Sequence, residues 1–360
     1  MSSQLGSTYS GRKVLVTGHT GFKGGWLSNW LRLLGADVHG LALAPDTKPS
    51  LFEASRVSDL VTSTIADIRE ANSVSATIKA CEPEIVFHLA AQPLVRESYR
   101  DPVGTFATNV VGTAAVLEAC RQSSLVKAVV CVTTDKVYLN LEENRPFHEG
   151  DRLGGLDPYS ASKACSELVA LVYQRNFRRD DQLPLIATAR GGNVVGGGDW
   201  CADRIIPDIV RALAAGQPLR LRNPAAVRPW QHVLELCEGY LELGARLFAG
   251  ETDIADAWNI GPAAESTLTV GELVDIALSL WSVPDHPVEV EGASLHEAQF
   301  LRLDTSKSLA RLNWKPRLSV QETLAWTVEW YRNYYADPAR AQTMTFAQFA
   351  AFQQRMAHTN

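Results

Sequence analysis

Tyr159 and Lys163 stand four residues apart, so on a helix they share one face. A lysine ammonium beside a phenol favours the phenolate and can pull a tyrosine from its free pKa of about 10 toward neutrality. Such a tyrosine can take the proton of an alcohol. A second polar group, Thr134-Asp135-Lys136, follows the apolar run Ala128-Val-Val-Cys-Val-Thr133. It sets a hydroxyl, an acid and an amine at the end of a predicted strand. A Tyr-x-x-x-Lys spacing also fits a plain surface helix, and an Asp-Lys pair also fits a simple ion pair, so the surrounding elements must decide.

Lys13-Val-Leu-Val-Thr17 reads as a short buried strand. Gly18-His-Thr20-Gly21-Phe22-Lys23-Gly24 follows at once, and Trp26, Leu27, Trp30, Leu31 and Leu34 then recur at helical spacing. Gly35 ends that helix and residues 37–43 read as a second strand. Strand, glycine turn, helix and strand in that order make a βαβ unit. Its turn suits a dinucleotide pyrophosphate, because absent side chains let phosphates reach the N–H groups of a helix N-terminus. The glycine spacing is GxxGxxG rather than GxGxxG. No carboxylate ends the second strand, where Leu41-Ala-Leu-Ala-Pro45 is followed late by Asp46 with no arginine beside it. The residues therefore lean toward NAD over NADP and leave the choice open.

Further units follow. Strands are expected over 61–66 (ending at Asp67-Ile68), 84–91, 127–133 and 184–190, with helices over 103–121, containing Asn109, and 159–178. Strands alternating with helices predict an α/β fold, a Rossmann-type doubly wound parallel sheet covered on both faces. Strand-end residues Leu89, Ala90, Ala91, Thr133 and Thr134 should line its ligand crevice. After Arg190 the run Gly191-Gly-Asn193-Val-Val-Gly-Gly-Gly-Asp-Trp200 cannot be regular structure. Arg204, Arg220, Arg222 and Arg228 then crowd one span, as a solvated face or as forks for a second diphosphate. Thr269-Val-Gly-Glu272 and Ser319-Val-Gln-Glu322 read as capping boxes. The expected organisation is a dinucleotide-binding domain over 11–190, rejoined by about 228–260, and a smaller mixed α/β C-terminal substrate lobe over 191–227 and 261–336. A peripheral tail over 337–360 completes it, with a short helix near 346–356.

Composition sets the class. The chain has 360 residues, 46% hydrophobic and 21% charged, with a net charge of −6 and no block of like charges. That suits a soluble globular protein and offers no nucleic-acid stripe or polybasic membrane patch. No apolar run is expected to reach membrane-span length, and the N-terminus lacks the basic start and apolar core of a signal peptide. The six cysteines and eight histidines have no metal-ligand spacing, so no metal is expected, and the cysteines read as reduced core residues of a cytoplasmic protein.

The segments Val16-Thr-Gly-His-Thr-Gly-Phe-Lys-Gly24, Pro49-Ser-Leu-Phe-Glu53, His88-Leu-Ala-Ala-Gln-Pro-Leu-Val-Arg96, Asp157-Pro-Tyr-Ser-Ala-Ser-Lys163, Gly196-Gly-Gly-Asp-Trp200 and Arg228-Pro-Trp-Gln-His-Val233 resemble the extended short-chain dehydrogenase/reductase family. Within it they look most like the nucleotide-sugar 4,6-dehydratases of the CDP-glucose branch. The resemblance runs from Lys13 to about Tyr335; Arg190-Gly-Gly-Asn193 departs from the family's Arg-Ala-Gly-Asn but keeps the asparagine. It implies NAD held by Gly18, Thr20, Gly21, Phe22, Lys23, Gly24, Asp67, Ile68, Leu89, Ala90, Ala91 and Thr133. Tyr159 and Lys163 are implied as the redox pair, with Thr134 bonding the sugar's 4-hydroxyl. Asp135 is implied as acid and Lys136 as base, where other branches carry a glutamate at the second position. Gln92, Asn193, Arg204, Arg228, Asn259, His296 and Gln299 fall where relatives hold the nucleotide sugar, here expected to be CDP-glucose. The resemblance also implies a homo-oligomer, a dimer or tetramer, joined through the exposed faces of the 103–121 and 159–178 helices. An epimerase or reductase, or an NAD-binding scaffold without turnover, remains open.

Overall fold

The computed structural model describes residues 3–177, 184–290, 292, 300–312 and 314–357. Its centre is an all-parallel seven-stranded sheet of β1 (Lys13–Thr17), β2 (Asp37–Ala42), β3 (Thr62–Ile65), β4 (Ile85–His88), β5 (Ala128–Val132), β6 (Leu185–Arg190) and β7 (Ala257–Asn259). The order is β7-β6-β5-β4-β1-β2-β3. The inner strands are apolar on both faces because both are covered. In β1, Val14 and Val16 join one core cluster and Leu15 the other, as a period of two requires. On one face lie α1 (Phe22–Leu33) and α5 (Val233–Phe248); on the other lie α2 (Ala71–Cys81), α3 (Pro102–Gln122) and α4 (Pro158–Asn176).

β4 stops at His88, short of the expected 91, because the Leu89 and Ala90 amides turn to the carbonyl and hydroxyl of Thr17 (3.1 Å each). β7 reaches the sheet from beyond the glycine-rich run, pairing Ala257 with Thr188 and Asn259 with Arg190. The smaller lobe is built on short pairs, Val227–Pro229 with Thr267–Thr269 and Leu219–Leu221 with Val288–Val290. Both expected capping boxes form, at the starts of Val270–Trp281 and of α6 (Val320–Ala336).

Two expectations need correction. The tail from 337 is not peripheral: α7 (Ala341–Ala357) buries Phe349 and Phe352 in the main core. Their rings meet Trp26 and Trp30 of α1 at 5.2 and 5.7 Å between centroids. The apolar positions 349, 352 and 356 recur at helical spacing, and α1 supplies the aromatic face they need. The second concerns membrane-span length. Among the described residues one helix, α3, with 21 residues, is long and apolar enough by length and composition to cross a membrane. Here it packs against α2 and α4 and buries Asn109, Val116, Leu117 and Cys120. All six cysteines are unpaired.

Candidate active site

The glycine turn between β1 and α1 is closed by its own backbone. Gly18 lies at φ +79°, and a Cβ there would stand 2.7 Å from the Ala90 nitrogen. A Cβ on Gly24 would stand 2.0 Å from the Gly18 carbonyl oxygen. The turn is thus folded onto the start of α1, whose N-cap Gly21 offers no side-chain cap. First-turn N–H groups left this way suit a phosphate. His19 follows the first glycine of the turn. Its ring is fully buried against Gly40 of β2, where a Cβ would lie 2.3 Å from it, and Nε2 meets the Ser63 hydroxyl at 2.7 Å. Burial pulls this histidine down to about 4, so it is neutral packing rather than a charge facing the phosphates. Thr20 donates to the Leu43 carbonyl (2.9 Å) and fixes the far side of the turn.

Opposite this cradle, α4 begins with Asp157 accepting the Ser160 amide (2.9 Å) and Pro158 in the first turn. This cap aims Tyr159 and Lys163 at the end of β5. Lys163 donates to the Val132 carbonyl at 2.9 Å. Burial, then the nearby Lys23, pulls Lys163 down to about 8. Tyr159 departs from expectation: burial pushes its phenol up to about 12, against an opposing hydrogen bond from Thr134.

Thr134 caps the short turn Asp135–Val137 and donates to the Asp135 carboxylate at 2.8 Å. Asp135 is buried, with its carboxylate so close to Gly192 that a Cβ there would lie 1.9 Å from it. Behind α4, α3 widens into a π-helical segment over Ala107–Val111. The Asn109 carbonyl there accepts the Ser166 and Thr113 hydroxyls (2.7 and 2.6 Å), while its side chain donates to Ser162 (2.8 Å) and grips both backbone groups of Gln92. Such π segments gather at functional sites because they free carbonyls from the helical ladder.

One cleft of about 340 Å³ is lined by Phe22, Lys23, Thr133, Thr134, Asp135, Lys136, Tyr159, Asn193, Arg204 and Arg228. Ten expected site residues from both lobes thus meet in one place. Asn193 takes a left-handed backbone (φ 46°), which asparagine tolerates. Arg204 is held by Asp199 at 2.8 Å. Burial pulls Lys23 down to about 8, and Arg204 adds to the effect.

Other expected residues lie elsewhere. Asn259 is fully buried, its amide donating to the Phe147 and Asp304 carbonyls (2.8 and 3.0 Å) and its oxygen accepting the Tyr138 hydroxyl (2.6 Å). It ties β7 to the segments carrying Tyr138, Phe147 and Asp304. Gln92 spends its side chain on Leu94 in its own loop and on Thr105 of α3. Ile68 is a core residue against Gly112. Asp67 is gripped by Arg69 at 2.6 Å, which holds its carboxyl below the ordinary range. His296 and Gln299 lie outside the described residues. Sequence reasoning missed Asp199, Arg96 and Asp203, which also line the cleft. The first two sat unremarked inside the 196–200 and 88–96 motifs. Asp203 pairs with Arg96 (3.2 Å) and Arg222 (3.0 Å) across the two lobes, which no local pattern announces.

Comparison with known proteins agrees with this arrangement. Residues 15–327 match the family described as GDP-mannose 4,6 dehydratase. The chain is 46% identical over 329 residues to a CDP-glucose 4,6-dehydratase of Salmonella typhimurium, covering 90% of this chain and 91% of that one. It is 33% identical to a dTDP-glucose 4,6-dehydratase of Streptomyces antibioticus, covering 89% and 92%. Among solved structures it is similar to a dTDP-glucose 4,6-dehydratase of Streptomyces venezuelae with NAD bound, at a TM-score of 0.78 and 27% identity over 91% of this chain and 99% of that one. The chain belongs to the GDP-mannose 4,6 dehydratase family, within the extended short-chain dehydrogenases/reductases.

Proposed function

We propose that the protein is an NAD-dependent CDP-glucose 4,6-dehydratase, a hydro-lyase that converts CDP-glucose to CDP-4-keto-6-deoxyglucose and water. The observation that carries this reading is the single cleft in which Tyr159, Thr134, Asp135 and Lys136 face Asn193, Arg204 and Arg228. The glycine cradle, closed to side chains at Gly18 and Gly24, fits NAD, whose pyrophosphate Gly18, Gly21 and Gly24 would hold. NAD held there would supply a hydride acceptor for carbon 4 and, once reduced, a hydride donor for carbon 6.

The residues do the proton work. Direct loss of the 6-hydroxyl is slow because hydroxide leaves poorly and the carbon 5 hydrogen is not acidic. A carbonyl at carbon 4 acidifies that hydrogen. Tyr159 takes the proton of the 4-hydroxyl while Thr134 orients it. Burial raises the pKa of the phenol, and its hydrogen bond with Thr134 opposes that rise. Lys136, on the cleft wall and as the neutral amine, removes the carbon 5 proton, and Asp135, as the protonated acid, gives its proton to the departing 6-hydroxyl, the proton gained by Lys136 returning to Asp135 before the next turnover. Arg204 and Arg228 fork the diphosphate.

The protein acts as a homodimer or a larger assembly. Val103 and Val111 of α3 are 78% and 57% exposed, and Leu168 and Val172 of α4 are 50% and 47% exposed. Such an apolar patch supports burial against a second copy. Incubation with NAD and CDP-glucose should yield a product lighter by one water. Turnover of dTDP-glucose but not CDP-glucose would overturn the choice of substrate, and 4-epimerisation without loss of water would overturn the reaction.

A further inference from the structure

Directly behind the cleft floor lies a buried charge network that the mechanism above does not use. Glu167 stands one helical turn after Lys163 on α4, 3% exposed. One carboxylate oxygen accepts the Thr133 hydroxyl at 2.5 Å. The other accepts the Thr188 hydroxyl and the Arg190 guanidinium, both at 2.8 Å. Arg190 is equally buried and sends its other arm to the Tyr138 hydroxyl (2.8 Å) and the Glu149 carbonyl (3.2 Å). Tyr138 passes the chain of bonds to Asn259.

A buried ion pair is a poor source of stability, since desolvation offsets its attraction. Its partners indicate another use, because each continues into the cleft. Thr133 precedes Thr134. Tyr138 follows the turn that carries Asp135 and Lys136. Arg190 precedes Gly191 and Gly192, and the Asp135 carboxylate rests against Gly192. Lys163 and Tyr159 share the helix of Glu167.

We propose that Glu167 is a positioning residue for the dehydration, locking the β5 end, the β6 end and the redox helix into one arrangement through Thr133, Arg190 and Lys163. Its charge has a second effect. The groups that face Lys163 are Lys23 from α1, His88 from β4, Cys131 from β5, and Glu167 on its own helix. Burial and Lys23 pull the lysine down, His88 is held neutral by its own burial, and Glu167 is the carboxylate that opposes them. Loss of that charge lets Lys163 shed its proton at lower pH.

The proposal rests on the dehydratase reading for its kinetic arm only. Glu167→Gln keeps the shape and removes the charge. Observed through isotope-labelled lysine side chains by NMR, Lys163 should lose its proton about one pH unit lower in Glu167→Gln than in the parent. This arm needs no substrate and stands even if the parent does not turn over CDP-glucose. In turnover, the alkaline limb of the kcat/KM profile should move down by about the same amount. Displaced groups should lower kcat by up to about 10²-fold with KM for the nucleotide sugar unchanged, and Glu167→Asp should restore part of both. If Glu167→Gln does not fold, Thr133→Val carries the test: it cuts one link, leaves the ion pair, and should lower kcat about tenfold without moving KM. A folded Glu167→Gln with a lower melting temperature but unchanged Lys163 titration and pH profile would overturn the proposal, as would a Thr133→Val protein with parental kcat.

Discussion

Gly24 offers the sharpest test of the cofactor cradle. An added methyl would begin 2.0 Å from the Gly18 oxygen, 2.7 Å from the Gly18 carbonyl carbon and 2.9 Å from the His19 Cα, all backbone atoms. To reach ordinary contact at 3.4 Å, turn and helix must part by about 1.4 Å. No flexible side chain can absorb that movement. Gly18 is itself wedged against Ala90, and Gly25 against Leu51. Overpacking of this kind costs about 1–3 kcal/mol. The same displacement carries the α1 amides away from the pyrophosphate, so Gly24→Ala should bind NAD about tenfold to a hundredfold more weakly. Its melting temperature should fall by about 2–10 °C. Gly250→Ala is the control: at φ +86° with nothing within 4 Å of an added Cβ, it strains only the backbone. It should lose about 1 kcal/mol of stability and none of its NAD affinity. Calorimetric titration of both variants with NAD decides the matter. A Gly24→Ala protein that binds NAD as tightly as Gly250→Ala would refute the cradle.

Other expectations follow from the cleft and the core. Tyr159→Phe should fold normally and lose about 10²–10⁴-fold in rate; near-parental turnover would assign the base elsewhere. Lys136→Ala should still oxidise the substrate, trapping some reduced cofactor, but should not exchange the carbon 5 hydrogen with deuterated water. Exchange at the parental rate would remove Lys136 from its role. Burial pushes Glu235 and Glu242 up to about 7 from the ordinary 4.5. The folded chain then holds more protons than the unfolded one between about pH 4.5 and 7, so this contribution to stability is lost as pH rises through that window. Glu235→Gln keeps an oxygen for the Arg317 and Leu318 amides (2.7 and 2.9 Å) and should remove about half of that slope in melting temperature. An unchanged slope would place the pH dependence in other groups.

The βαβ start, the Tyr159–Lys163 helix and both capping boxes were legible because each is encoded within a few residues. The sequence also named ten of the residues that meet in the cleft, through long motifs whose spacing is local. It failed where a fate is set across the fold. The resemblance implies that Asn259 holds the nucleotide sugar. Its partner Tyr138, far away in the chain, turns it into a buried clamp. The last helix reads as a tail, because the Trp26 and Trp30 face that receives Phe349 and Phe352 lies at the other end of the chain. Lys163 is spaced to act on Tyr159, and nothing in that spacing says that its ammonium also donates to the Val132 carbonyl at the end of β5. Pattern places a side chain on a face; it does not say which acceptor arrives first.

The central claim is that hydride leaves carbon 4 and returns to carbon 6 of the same sugar. CDP-glucose carrying deuterium at carbon 4, incubated with the enzyme and NAD, tests it most directly. The account predicts a CDP-4-keto-6-deoxyglucose with that deuterium at carbon 6 and no reduced cofactor accumulating with product. Deuterium lost to a growing pool of reduced NAD, with no 6-deoxy product, would contradict it and leave a simple dehydrogenase in its place.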